Sequence, residues 1–276
     1  MRLNKATMLS NDPPNRTVQL FKNWGRVYSY HSLALRRLWS RFREHTDLAR
    51  IDRLREETAE VVRRDPVCAA KYADYALWAP FNLARIGALS LQDLPPLRSL
   101  DIGCGPGYFL AMARAAGHEC LGIDAPSQEL SAVELRVYSE LLAALYCSSH
   151  VYPVLIERFL PMPVTQENLD LITAFWITFN RIRQPDEWGV AEWRFFVEDA
   201  VSHLSENGTL HLELNSHAER YGTLEWYDAE TLEFFRSVGT VERGVVRIRR
   251  DCAETDVDGC YYSTVSSNED PPSAQQ

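Results

Sequence analysis

Between residues 99 and 124 the chain reads SLDIGCGPGYFLAMARAAGHECLGID, and its acids and glycines are spaced to hold a ligand. Asp101 sits near the end of one apolar run. Gly103, Gly105 and Gly107 follow at every second position, and Asp124 closes the next apolar run, CLGID. Glycine accepts unusual φ and lets a ligand approach the backbone closely. A helix starting near Tyr108 would direct free N–H groups and partial positive charge at a carboxylate or phosphate. An acid at the tip of a second strand reaches ribose hydroxyls through paired hydrogen bonds. The pattern therefore asks for a ligand with a ribose and an anionic group, and without a long polyphosphate.

Two commoner glycine motifs are excluded. The dinucleotide fingerprint needs G-x-G-x-x-G, but Tyr108 occupies the third glycine position counted from Gly103, and Leu110 occupies it counted from Gly105. An acid inside the strand end is also foreign to that motif. No Gly-Lys-Ser/Thr follows, so a phosphate loop is absent. S-adenosylmethionine, with ribose, carboxylate and sulfonium, meets the demand.

The stretch LDIGCGPGYFLAMARAAGHECLGID resembles the cofactor-binding signature of class I S-adenosylmethionine-dependent methyltransferases. The resemblance extends over about residues 75–250 and implies an α/β fold. Its core would be a seven-stranded, mostly parallel, Rossmann-like sheet flanked by helices, with one antiparallel strand near the end. It implies that Asp101, Gly103, Gly105 and Gly107 hold the methionyl part of the cofactor, with Cys104 in the same loop. Asp124 would take the ribose, with Ala125 beside it. Glu157, Arg158 and Phe159 align with the pair that flanks the adenine, and Ala174 and Phe175 end the fourth strand. The Asn/Asp-Pro-Pro-aromatic sequence of enzymes that methylate amino groups of DNA bases or glutamine is missing after that strand. NDPPN at 11–15 imitates it but precedes any strand.

These residues need a scaffold, and the sequence outlines one. After Pro95-Pro96, β-like runs (LRSLDI, CLGID, VYPVLI, DLITAF, GTLHLELN, VVRIRR) alternate with helical segments at 107–117, 127–146, 187–206 and 228–238. Such alternation predicts a parallel sheet with helices on both faces, and a further strand is expected near 260–264. Before Pro95 the periodicity is helical. Leu35, Leu38, Trp39 and Phe42 form one stripe, and Leu48, Ile51, Leu54, Thr58, Val61 and Val62 another. Thr46 or Asp47 is expected to cap the second helix and Asp65-Pro66 to stop it, with more helix over 67–90, broken at Pro80. The organisation expected is a helical extension or cap over 1–92, a cofactor-binding domain over 93–265 and a disordered tail over 266–276.

Acceptor groups should come from the loops after the fourth and fifth strands and from the N-terminal helices. The fourth loop offers Trp176, Asn180 and Arg181. The fifth offers His217, the histidine best placed to act as a base, and Asn180 is the second catalytic candidate. Trp24, Tyr28, Tyr75 and Trp78 are the expected aromatic contributors from the N-terminal side. The six cysteines are scattered without metal-ligand spacing, which fits free thiols in a reducing cytoplasm and no metal. No apolar run reaches the roughly 20 residues of a membrane span, and the N-terminus lacks a secretory signal. Residues 1–100 hold 17 Lys+Arg against 10 Asp+Glu, whereas 101–276 hold 12 against 28. The acidic body disfavours nucleic acid as a partner. The expected activity is methyl transfer to a small-molecule or saccharide-like acceptor. The alternatives are a protein or nucleic-acid methyltransferase and a non-catalytic cofactor-binding regulator. Nothing in the sequence fixes the oligomeric state.

Overall fold

The computed structural model describes residues 32–65, 68–125, 131–176, 188–214, 227–242 and 244–253. Helix α1 (Leu33–Glu44) starts at Ser32, whose hydroxyl accepts the Leu35 N–H. Helix α2 (Leu48–Arg64) starts at Asp47, whose carboxylate accepts the Arg50 N–H at 2.9 Å, so the cap is the expected aspartate. A 3₁₀ turn (Ala69–Ala73) leads into α3 (Tyr75–Ala88). The expected break at Pro80 does not occur. The interruption falls at Asp74 instead, and Pro80 lies inside α3. A proline there forfeits one backbone hydrogen bond, but its neighbours Ala79, Phe81, Asn82 and Leu83 are all buried, and their packing holds the helix.

From Arg98 the predicted alternation is present: β1 (Arg98–Ile102), α4 (Tyr108–Ala116), β2 (Glu119–Asp124), α5 (Ala132–Ala144), β3 (Val151–Pro153) and β4 (Leu169–Phe175). It continues through α6 (Val190–Ser202), β5 (Leu204–Glu213), α7 (Ala229–Val238), β6 (Thr240–Glu242), β7 (Val245–Arg249) and the single turn α8 (Arg250–Ala253). The strand order is β3-β2-β1-β4-β5-β7-β6. All pairings are parallel except those of β7, which runs antiparallel to β5 and β6. Strand β5 begins four residues earlier than expected, and β6 was not foreseen. The strand expected near 260–264 lies outside the described residues.

Side chains alternate across this sheet into two cores. One joins α1, α2 and α3 to α4, α5, Leu171 and Phe175. The other joins Leu100, Ile102, Ile172, Leu210, Val246 and Ile248 to α6 and α7. The N-terminal helices thus share a core with the first helices of the sheet region. The main chain and ion pairs reinforce this. The Asp47 N–H donates to the Ala144 carbonyl, Arg50 pairs with Glu140 at 2.6 Å, and Arg136 pairs with Glu57.

Candidate functional site

The first crossover leaves β1 at its carboxyl end, where ligands bind in open parallel sheets. Gly103, Gly105 and Gly107 there have φ of +66°, +54° and +84°, a conformation costly for any residue with a Cβ. Gly107 immediately precedes α4, and a Cβ on it would lie 3.1 Å from Leu142 Cδ2 and 3.4 Å from Cys147 Cβ. Gly105 differs. The nearest groups to a Cβ placed there are Asp124 Oδ2 and the Tyr138 hydroxyl, both at 3.9 Å. Its missing side chain leaves room faced by two polar groups.

Asp124 ends β2. Its Oδ1 accepts the Ala125 N–H at 2.7 Å, while Oδ2 is buried without a hydrogen-bond partner among the described residues. Burial pushes its carboxyl up to about 6, although the nearby Ala125 and Gly105 N–H groups pull the other way. Asp101 is 2% exposed and accepts one hydrogen bond, 2.7 Å from Thr173 Oγ1. Thr173 is its in-register neighbour on β4. Burial raises Asp101 to about 7, opposed by the Thr173 hydroxyl and by Arg85. Cys104 is buried between these carboxylates and its thiol is held well above its usual range, chiefly by desolvation. Two under-solvated carboxylates beside a glycine loop form a site built for hydrogen-bond donors and positive charge.

Farther along the carboxyl edge, Arg85 of α3 donates from Nη2 and Nε to Glu213 Oε2, at 2.7 and 3.0 Å. Its guanidinium lies 4.1 Å from the Phe175 ring centre, 4.4 Å from Phe81 and 5.1 Å from Trp176. Trp176 follows β4 with φ +53° and donates its N–H to the Glu213 carbonyl at 2.8 Å. This cation, stacked on three rings and paired at its head, fastens α3 to the ends of β4 and β5.

The structure brings together Asp101, Gly103, Cys104, Gly105, Gly107, Asp124 and Ala125. In the segment proposed to flank adenine, Arg158 pairs with Glu192 at 3.8 Å and Phe159 meets Phe195 edge-on, both partners lying on α6. Glu157 is exposed. Ala174 joins the α6/α7 core, whereas Phe175 turns to the other face and meets Phe109 at 4.7 Å. Among the aromatics, Trp78 and Trp176 are linked through Phe81, at 6.0 and 4.9 Å. Tyr75 instead stacks on Phe42 and Trp39 of α1. Trp24, Tyr28, Asn180, Arg181 and His217 lie outside the described residues. Thr173, Arg85, Glu213 and Tyr138 were not singled out from sequence. Only Thr173 carried a signal there, as a hydroxyl inside the apolar run LITAF.

No protein-family model and no curated protein matches the chain. Solved structures do. YjhP from E. coli is 21% identical over 52% of this chain and 52% of its own, with a TM-score of 0.35. A SAM dependent methyltransferase from Aquifex aeolicus is 17% identical over 46% of this chain and 61% of its own, with a TM-score of 0.32. Precorrin-6y C5,15-methyltransferase from Geobacter metallireducens is 15% identical over 55% and 69%, with a TM-score of 0.35. The chain spans about half the length of the first solved chains it matches.

Proposed function

We propose that this chain is an S-adenosylmethionine-dependent methyltransferase acting on a small-molecule or saccharide-like acceptor. The observation that carries the reading is Asp124 Oδ2, a buried carboxylate oxygen without a donor among the described residues, facing the space left by Gly105. A ribose hydroxyl is the donor that fits it. Asp101, buried with a single hydrogen bond, suits the ammonium of the methionyl group, and the N-terminus of α4 suits its carboxylate. Bound there, the cofactor supplies a methyl group on a sulfonium, already activated for in-line displacement. What remains for the chain is alignment and exclusion of water, and alignment alone is worth up to ~7–11 kcal/mol. The aromatic surface of Trp78, Phe81 and Trp176 would form the acceptor side. His217 and Asn180 are the candidates for taking a proton where the acceptor is a hydroxyl. The helices before β1 would cover this edge as a cap.

Calorimetry tests the reading. S-adenosylmethionine and S-adenosylhomocysteine should both bind, and NAD should not. Gly105→Val should lose binding by at least about 100-fold while the protein still melts cooperatively, because a branched side chain would fill the ligand's space and strain a positive φ. Binding of NAD with no response to either sulfur nucleoside would refute it.

A further inference from the structure

Gly105 is faced by two polar groups, and only one of them belongs to the glycine and acid pattern. The other, the Tyr138 hydroxyl, arrives from the middle of α5 and lies as near to the Gly105 Cβ position as Asp124 Oδ2 does, 3.9 Å. We propose that Tyr138 is a second ligand-binding group of this site, working with Asp124 to select a nucleoside that carries an intact ribose diol. This rests on the reading of the site as one for S-adenosylmethionine and adds the residue that tells ribose from deoxyribose.

The chemistry is complementary. An ionised Asp124 only accepts hydrogen bonds, whereas a tyrosine hydroxyl both donates and accepts. A vicinal diol offers two hydroxyls: one donates to Asp124 Oδ2, and the other pairs with Tyr138. A ligand lacking either hydroxyl leaves a protein group unpaired in a buried site, which is how polar sites reject close analogues.

Tyr138 is also held in place beyond what packing requires. Helix α5 opens with a capping box, in which the Ser131 hydroxyl accepts the Glu134 N–H and Glu134 accepts the Ser131 N–H. Glu134 Oε1 also accepts the Ala69 N–H at 3.2 Å, tying α5 to the turn that carries Tyr72. The Tyr72 ring meets Tyr138 edge-on at 6.0 Å and 90°, and is itself backed by Trp78 at 4.6 Å. The hydroxyl is thus aimed by the N-terminal helical segment, so those helices act on the cofactor side of the site as well as on its acceptor side.

The test is calorimetry on the full chain and on Tyr138→Phe, with S-adenosylhomocysteine and its 2′-deoxy and 3′-deoxy forms. In the parent, S-adenosylhomocysteine should bind tightest. Tyr138→Phe should weaken it by about fivefold to tenfold while changing at least one deoxy form by less than twofold, so that discrimination collapses. An unchanged affinity for all three ligands, or an equal loss for all three, overturns the proposal: the ring would then serve packing alone. Tyr138→Gln, which keeps a polar end, should retain part of the preference for ribose, and its complete loss there would also count against the hydroxyl's role. If the parent binds none of the three, the underlying reading of the site fails, and that result is distinct from the others.

Discussion

The two faces of the sheet are packed on different terms. Behind β1, β4, β5 and β7, the core with α6 and α7 is a set of aliphatic side chains against edge-to-face rings, among them Trp188, Trp193, Phe196, Tyr227 and Phe235. On the opposite face the same strands place Asp101, Thr173 and His211 side by side in register, and Glu213 and Asp124 stand at the strand ends. His211 Nδ1 is buried without a partner among the described residues, and desolvation pushes the ring down to about 3, so it is neutral at physiological pH. One face is built for stability. The other carries desolvated polar groups whose cost is offset by the packing around them, which is the usual arrangement at a functional site.

The comparison can be broken most severely by removing the helices that complete the first core. Deleting residues 1–64 takes away Leu35, Leu38, Phe42, Ile51 and Leu54, all buried against the rest of the chain. At ~1.5–3 kcal/mol for each buried side chain, the loss is about the size of a whole domain's stability, roughly 5–15 kcal/mol. The truncated chain should be insoluble or should lack a cooperative melt. A soluble product with a sharp transition would show that the first core does not need α1 and α2.

A second experiment sets stability against binding on the polar face. Asp124, ordinarily near 3.8, stands at about 6 in the folded chain. A raised carboxyl stabilises the fold while it is protonated, and that contribution is lost as pH climbs from about 4 through 6. Asp124→Asn removes the titration. Without ligand it should be more stable than the parent by roughly 2–3 kcal/mol at pH 8 and nearly equal at pH 4, while binding S-adenosylhomocysteine more weakly. Denaturant melts at the two pH values read the difference. A mutant less stable than the parent at pH 8 would mean that Asp124 is satisfied in the ligand-free fold.

The smallest effect sharpens the contrast from the other side. Ile248→Val deletes one methyl from the fully buried α6/α7 core and should cost about 0.5–1.5 kcal/mol with ligand affinity unchanged. A shifted affinity in that variant would couple the faces.

How much of this was legible in the sequence follows from how local each feature is. The β1–loop–β2 unit could be read because its information lies within 26 consecutive residues, with glycines, acids and apolar runs in one string. The alternation to parallel strands and the cap at Asp47 are equally local. β6 escaped because three residues, Thr240–Glu242, are too few to show a period. Pro80 misled because a local rule was outweighed by burial on both sides of it. The Arg85–Glu213 pair joins positions 128 residues apart, and no spacing announces such a contact. Tyr138 sits in a helix whose pattern, AVELRVYSELLAA, gives it no more prominence than its neighbours. The glycine and acid half of the candidate site was therefore visible, and the tyrosine and arginine half was not.

The shared first core has a consequence for how the chain is made. Helices α1 and α2 leave the ribosome before α4 and α5, yet those later helices are what their apolar stripes pack against. The Arg50–Glu140 and Arg136–Glu57 pairs and the Asp47–Ala144 bond likewise cannot close until α5 has been synthesised. Throughout that interval Leu35, Leu38, Phe42, Ile51 and Leu54 have only α3 and the turns on either side of it as native partners, and the surface left open is prone to association with other chains. Slow codons or a stall between residues 64 and 132 would prolong the exposure, which ends only after α5 has cleared the ribosome. The first core thus depends on the order in which its parts appear as well as on the strength of their contact.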